Sequence, residues 1–245
     1  MRDGSAFPTT LRTELLALAG PARDAPADAG RRAGAEKARI HVMERYAEPL
    51  AVFVRGSSLA RLGEPAEIVN GFFASRLSDA GYLEEWARSG MRLRRWLMNG
   101  ILFHGQGIAR DRARAAIRGA VRGADESSAA HAMIDELEAR GPSAEARFER
   151  SWALAVVREA TARVELELVE SGRGTDFEIF RRHAIDGQPY ATFARELGRT
   201  PQQCAGATRL VAQRVRARLA EVLREEGVPG EEIEDELARV RALVG

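Results

Sequence analysis

The sequence predicts an all-α protein of two helical domains joined by a flexible acidic linker, the second containing a helix-turn-helix. Three observations predict it. Apolar residues recur at three- and four-residue steps over long stretches, no strand-like alternation is sustained, and glycine, serine and proline gather at a few breaks. With 45% hydrophobic residues among 245, the chain has enough apolar surface to build real cores.

Residues 1–36 are rich in Ala, Gly, Pro, Asp and Arg, and PARDAPADAGRRAGAE holds no apolar period, so a disordered N-terminal extension is expected. Residues 37–118 carry helical spacing interrupted at RGSS, RLGEP and ARSG, which predicts a bundle, and aromatics concentrate there. Residues 119–145 place Gly, Ser, Pro and acidic residues around one weak helical segment, as a linker does. Residues 146–226 form a second helical domain, opened by the amphipathic stretch RFERSWALAVVREATARVELELVESG, which closes on the glycine after Ser171. Residues 227–245, with GEEIEDELARVRALVG, form an acidic C-terminal helix.

The net charge is only +1 although 30% of residues are charged, so attraction to a polyanion must come from where the charges lie. Lys37 is the single lysine, and arginine fills nearly every cationic role. One cysteine, Cys204, excludes an internal disulfide and sits at an apolar helical position, where a buried thiol in a reducing compartment is expected. LLALAG lacks the layout of a secretory leader and no stretch has the apolar length to cross a bilayer, so the expected location is cytoplasmic, without membrane contact.

Enzymatic signatures are missing from the sequence. No Gly-rich loop precedes Lys-Ser/Thr, the GQG at Gly105–Gly107 has no third glycine, no HExxH occurs, and His41, His104, His131 and His183 are scattered. No catalytic residue, metal or cofactor is therefore expected.

The segment PYATFARELGRTPQQCAGATRLVAQRVRARL carries the sharpest local signal. Tyr190, Phe193, Ala194 and Leu197 share one face of a short helix, and Gly198 follows where a left-handed C-terminal turn wants it. Thr200 then caps a second helix, Pro201 suits its first position, and Gln203 completes a Thr-x-x-Gln capping box. Cys204, Thr208, Val211, Val215, Leu219 and Val222 follow core spacing, whereas Gln202, Gln203, Arg209, Gln213, Arg214 and Arg216 lie elsewhere. Amides and arginines at the start of a second helix suit base edges and phosphates in a major groove. A plain αα-hairpin with a solvated basic face reads equally well from this segment alone.

Taken with what precedes it, the segment resembles the C-terminal promoter-reading domain of extracytoplasmic-function (ECF) sigma factors. It is most similar to the variety abundant in planctomycetes and myxobacteria. The resemblance rests on Phe148, Arg150, Trp152 and Ala153 opening the second domain, on PYATFARELGRTPQQ, and on the closing EIEDELARV. In the first domain AEIVNGFFASRL matches the family's polymerase-gripping helix, which makes Glu67, Asn70, Phe72, Phe73 and Arg76 the implied polymerase contacts. GYLEEWARSGMRLRRWLMNGILF matches the helix facing the minus-ten element, implying DNA contacts from Arg92, Arg94, Arg95, Asn99, His104, Gln106 and Arg110, with a base pocket in a loop at residues 79–91. Thr200, Gln202, Gln203, Arg209, Gln213, Arg214 and Arg216 would read the minus-thirty-five element.

The resemblance covers about residues 40–240 and implies a transcription initiation factor. Its partners would be the clamp and flap regions of core RNA polymerase and promoter DNA, with an anti-sigma protein or a kinase as candidate regulator. The acidic linker would lie in the polymerase cleft. Arg92, Arg94, Arg95, Arg110, Arg112, Arg114 and Arg118 against Asp111 make one strongly basic stretch, suited to phosphates of an opening strand. Trp96 is expected in the core, and at least one of Phe72 and Phe73 with it. The chain departs from the family at Gly71, at Gly107 and at Ala205, and it places Gly100, Gly105 and Gly107 in one helix. Those departures support a rival, a degenerate sigma-like or helix-turn-helix interaction protein without promoter-opening activity.

Overall fold

The structure, a computed structural model, describes residues 29–119 and 142–245. All regular structure among the described residues is helical, as expected for an all-α chain. The expected extension falls outside the described residues up to position 28, and the expected linker does so at 120–141. The chain divides into two compact units, one of Met1–Ala153 with Glu225–Val228, the other of Leu154–Arg224 with Pro229–Gly245.

In the first unit, helix α1 (Ala29–Gly56) starts inside the expected extension and buries Val42, Tyr46, Leu50, Phe53 and Val54. Ser57 caps a short 3-10 turn (Ser58–Leu62) by accepting from the Leu59 amide. Helix α2 (Pro65–Phe72) begins on proline, whose missing N–H costs nothing there, and continues into a π turn (Phe73–Leu77). Helix α3 (Ala80–Ser89) is capped by Asp79 and stops at Gly90 with φ +73°, a conformation suited to glycine. Residues 79–91, expected as a loop, thus hold a helix, because Leu83, Trp86 and Ala87 give it a buried face. The Trp86 indole donates to the Met91 carbonyl at 2.8 Å, closing the turn into helix α4 (Leu93–Gly119).

Two of the α4 glycines have a packing reason. A Cβ on Gly100 would lie 2.0 Å from the Tyr82 hydroxyl and 2.9 Å from the Phe72 ring, and one on Gly105 would lie 2.3 Å from Leu59. These glycines let α4 approach α3, α2 and the 3-10 turn closely.

Helix α5 (Pro142–Glu170) starts within the expected linker and supplies both units in turn. Its Phe148 packs on Tyr46 and Phe53 in the first unit's core, and Trp152 is fully buried there. These aromatics move the division of the chain to Ala153, beyond the expected 146.

The second unit holds the rest of α5, helix α6 (Gly174–Phe180) with its π turn (Arg181–Ile185), short helix α7 (Tyr190–Phe193), helix α8 (Pro201–Glu225) up to Arg224, and helix α9 (Ile233–Val244). One apolar cluster joins Val164, Leu168, Phe177 and Val211. Another joins Ile179, Phe193, Ala194 and Cys204. Cys204 is buried, as its spacing predicts, and burial pushes its thiol up.

Candidate partner-binding and nucleic-acid surfaces

On the first unit, α1 and the α2 segment border a groove of about 300 Å³ lined by Arg39, Met43, Asn70, Phe73, Ala74 and Leu77, among others. Glu67, Asn70 and Arg76 are exposed, as partner contacts require. Phe72 and Phe73 are not: both are buried, and Phe72 packs on Tyr82 and His104. The expectation that they meet a partner is corrected accordingly, since a side chain filling the core offers little surface to a second molecule; Phe73, although buried, also lines the groove. The sequence reading missed Met43 and Ile40, exposed apolar residues of α1. Their outward position breaks the helix's apolar face, and that was the available signal.

On α4 the basic stretch separates into different roles. Arg94 is buried, its guanidinium 4.2 Å from the Trp152 ring centroid and its Nε donating to Glu149, so the expectation that it contacts DNA is corrected to a structural role. Arg112 donates to the Leu62 carbonyl and braces the 3-10 turn. Arg95 and Arg110 are exposed; Arg95 lies 3.7 Å from Glu145 and Arg110 donates to its own helix at Gln106. Arg114 pairs with Asp111. Arg92, Asn99 and Gln106 are partly exposed, and the Arg118 side chain lies outside the described ones.

His104 is half-buried against Phe72, with Nδ1 3.3 Å from the Ser75 hydroxyl; burial, helped by Arg76, holds its pKa below the usual imidazole value. Trp96 packs on Tyr82 but is only partly buried, short of the core position expected for it. Phe103, in contrast, is 61% exposed on α4, and a Cβ on nearby Gly107 would meet nothing within 4 Å. Asn99, Phe103, Gln106 and Arg110 follow one another at four- and three-residue steps, so one face of α4 presents an aromatic ring between amides and an arginine.

On the second unit the capping box forms in both directions: the Thr200 hydroxyl accepts from the Gln203 amide at 3.2 Å and the Gln203 side-chain oxygen accepts from the Thr200 amide at 2.9 Å. Gln203 thereby commits its acceptor to the helix start. Gly198 adopts φ +65°, which a left-handed helix end requires. Gln202, Arg209 and Gln213 are exposed along one stripe of α8, and Gly206 lies open between them. Arg214 is partly exposed, and Arg216, at the far end, is paired with Glu234 of α9.

Ion pairs hold the elements before α8 in place. Arg182 bridges Glu178 and Glu196, and Arg181 bridges Glu178 and Asp186. The hydrogen bonds from Arg181 and Arg182 hold the Glu178 carboxyl down at about 2. His183 stacks on Tyr190 at 3.8 Å between ring centroids. Together they tie the π turn to the short α7 in front of the exposed stripe.

No known protein family, curated protein or solved structure matches the chain. Among the described residues no helix is long and apolar enough to cross a membrane.

Proposed function

We propose that the protein is a transcription initiation factor of the ECF sigma type, which binds core RNA polymerase and directs it to promoters. The observation that carries this reading is the stripe Gln202–Arg209–Gln213 on a helix whose start is fixed by a reciprocal cap behind a tight glycine turn. Amide and guanidinium groups on a rigid helix suit base edges and phosphates. The exposed ring of Phe103 among Asn99, Gln106 and Arg110 supports contact with a single strand, where stacking and phosphate pairing combine. The α1–α2 groove, lined by Met43, Phe73 and Leu77 together with Asn70, supports a helical partner such as the polymerase clamp.

Co-elution of the purified protein with core polymerase free of other sigma factors, at moderate and high salt, tests the reading. A stable complex is expected, and Met43→Asp is expected to weaken it at least tenfold while far-UV circular dichroism stays unchanged, because Met43 lies outside the core. A second reading, a helix-turn-helix interaction protein without promoter opening, is favoured by the burial of Arg94, which removes one cation from the strand-binding set. Absence of any polymerase complex selects it.

A further inference from the structure

Four residues of the first unit come from far along the chain. Glu225–Val228 belongs to it, although the residues before and after belong to the second. Glu226 is 1% exposed. One of its carboxylate oxygens accepts from Arg45 Nη1 at 2.9 Å and the other from the Trp152 indole at 2.9 Å, while its carbonyl accepts from the Leu93 amide at 3.4 Å. Glu225 adds a second contact to Arg45, at 3.3 Å. Gly227 at φ +83° turns the backbone so that Val228 is buried as well.

We propose that the first unit carries a binding site for a short acidic peptide, and that the chain's own Glu225–Val228 fills it as a releasable latch. Two features separate a latch from an ordinary piece of core. The segment brings a single large apolar side chain, Val228, so its attachment rests largely on polar bonds to the Glu226 carboxylate and backbone carbonyl, which a competing peptide carrying a glutamate can replace. The site that receives it is assembled from three elements, by Arg45 of α1, Trp152 of α5 and the first amide of α4, and those elements have their own apolar packing through Tyr46, Phe53, Leu97 and Phe148. A buried ion pair contributes little over apolar packing but is strongly sensitive to losing one partner. Exchange with a competing peptide requires this docking to open locally, below the free energy of global unfolding. The partner class that fits is a protein segment presenting a glutamate followed closely by a small aliphatic residue in a turn.

Hydrogen exchange with mass spectrometry on the full chain tests this. Glu226→Gln removes the charge, and Gly227→Ala strains the turn without altering the receiving site. Both are expected to speed exchange at residues 225–228 and at the Leu93 amide by about tenfold or more, leaving α2 and α3 as protected as in the parent. A synthetic peptide of residues 222–230 is expected to slow the Leu93 amide again in the Glu226→Gln protein, and the same peptide with glutamine for its second glutamate is not. The double change Arg45→Met with Glu226→Met is expected to restore slow exchange. If exchange instead rises across all of the first unit in both single variants, the segment is core and the latch is refuted. Failure of the peptide to protect Leu93 refutes the exchangeable site.

Discussion

Gly100 and Gly107 stand seven residues apart on one helix and have opposite surroundings, which makes them the sharpest comparison at the residue scale. A methyl at Gly100 runs into the Tyr82 hydroxyl and the Phe72 ring, so Gly100→Ala is expected to cost ~1–3 kcal/mol by overpacking. At Gly107 nothing lies in the way, and Gly107→Ala is expected to raise stability by ~0.5–1 kcal/mol through helix propensity. Thermal unfolding of both variants checks the pair; equal shifts of one sign would contradict the packing assignment. From the sequence these glycines are only three unusual residues in one helix, and only the neighbours of each Cβ position separate the two that allow close packing from the one that lies open. The same holds for two arginines one residue apart. Arg94 is buried over the Trp152 ring and Arg95 is exposed, a difference fixed by helix phase against a core that the sequence does not name. Phe103→Ala is expected to leave stability within ~0.5 kcal/mol because the ring is exposed, and to weaken binding of a single-stranded oligonucleotide by ~1–3 kcal/mol. Unchanged binding at several salt concentrations would remove Phe103 from the proposed surface.

At the scale of elements, the start of α8 was legible to the residue, because a capping box depends on side chains three positions apart and on nothing distant. Its two functions can be separated. Thr200→Ala is expected to lower stability by ~1 kcal/mol through loss of the cap. Gln202→Ala with Arg209→Ala is expected to leave stability unchanged and to reduce binding to a cognate upstream promoter element at least tenfold, with a shallower dependence on salt. Urea unfolding beside fluorescence anisotropy with duplex DNA checks both. A loss of stability in the double variant would assign those side chains to packing. Helix α3 was not expected, because the loop at 79–91 came from the family resemblance, whereas in the structure Asp79 caps and Gly90 ends a short helix.

For the molecule as a whole, the second unit's surface charges predict an acid limit. The Glu178 carboxyl is held at about 2 in the folded chain, against an ordinary value of 4.5, by hydrogen bonds from Arg181 and Arg182. A carboxyl with a lowered folded pKa contributes its stabilisation in full above its unfolded value and loses it as pH falls through the folded one. Stability is therefore expected to decline between about pH 4.5 and 2, and the decline to shrink in Glu178→Gln. Because the group is near the surface, salt screening reduces the effect, and the comparison belongs at low ionic strength. Identical acid profiles of parent and variant would show that the pairing does not contribute.

The sequence by itself determined the helical class, the glycine turn and capping box that start α8, the buried Cys204 and the polar stripe on α8, all of which follow from spacings of three or four residues and from local backbone preference. Tertiary structure alone decided that both Phe72 and Phe73, not just one of them, are interior together with Arg94, that Phe103 and Met43 are exposed, and that Glu225–Val228 belongs with the first unit. The physical reason is that periodicity says which residues share a face of a helix. It does not say what packs on that face. A charge or an aromatic ring takes its role from partners brought to it from elsewhere in the chain, as Arg45 and Trp152 are brought to Glu226.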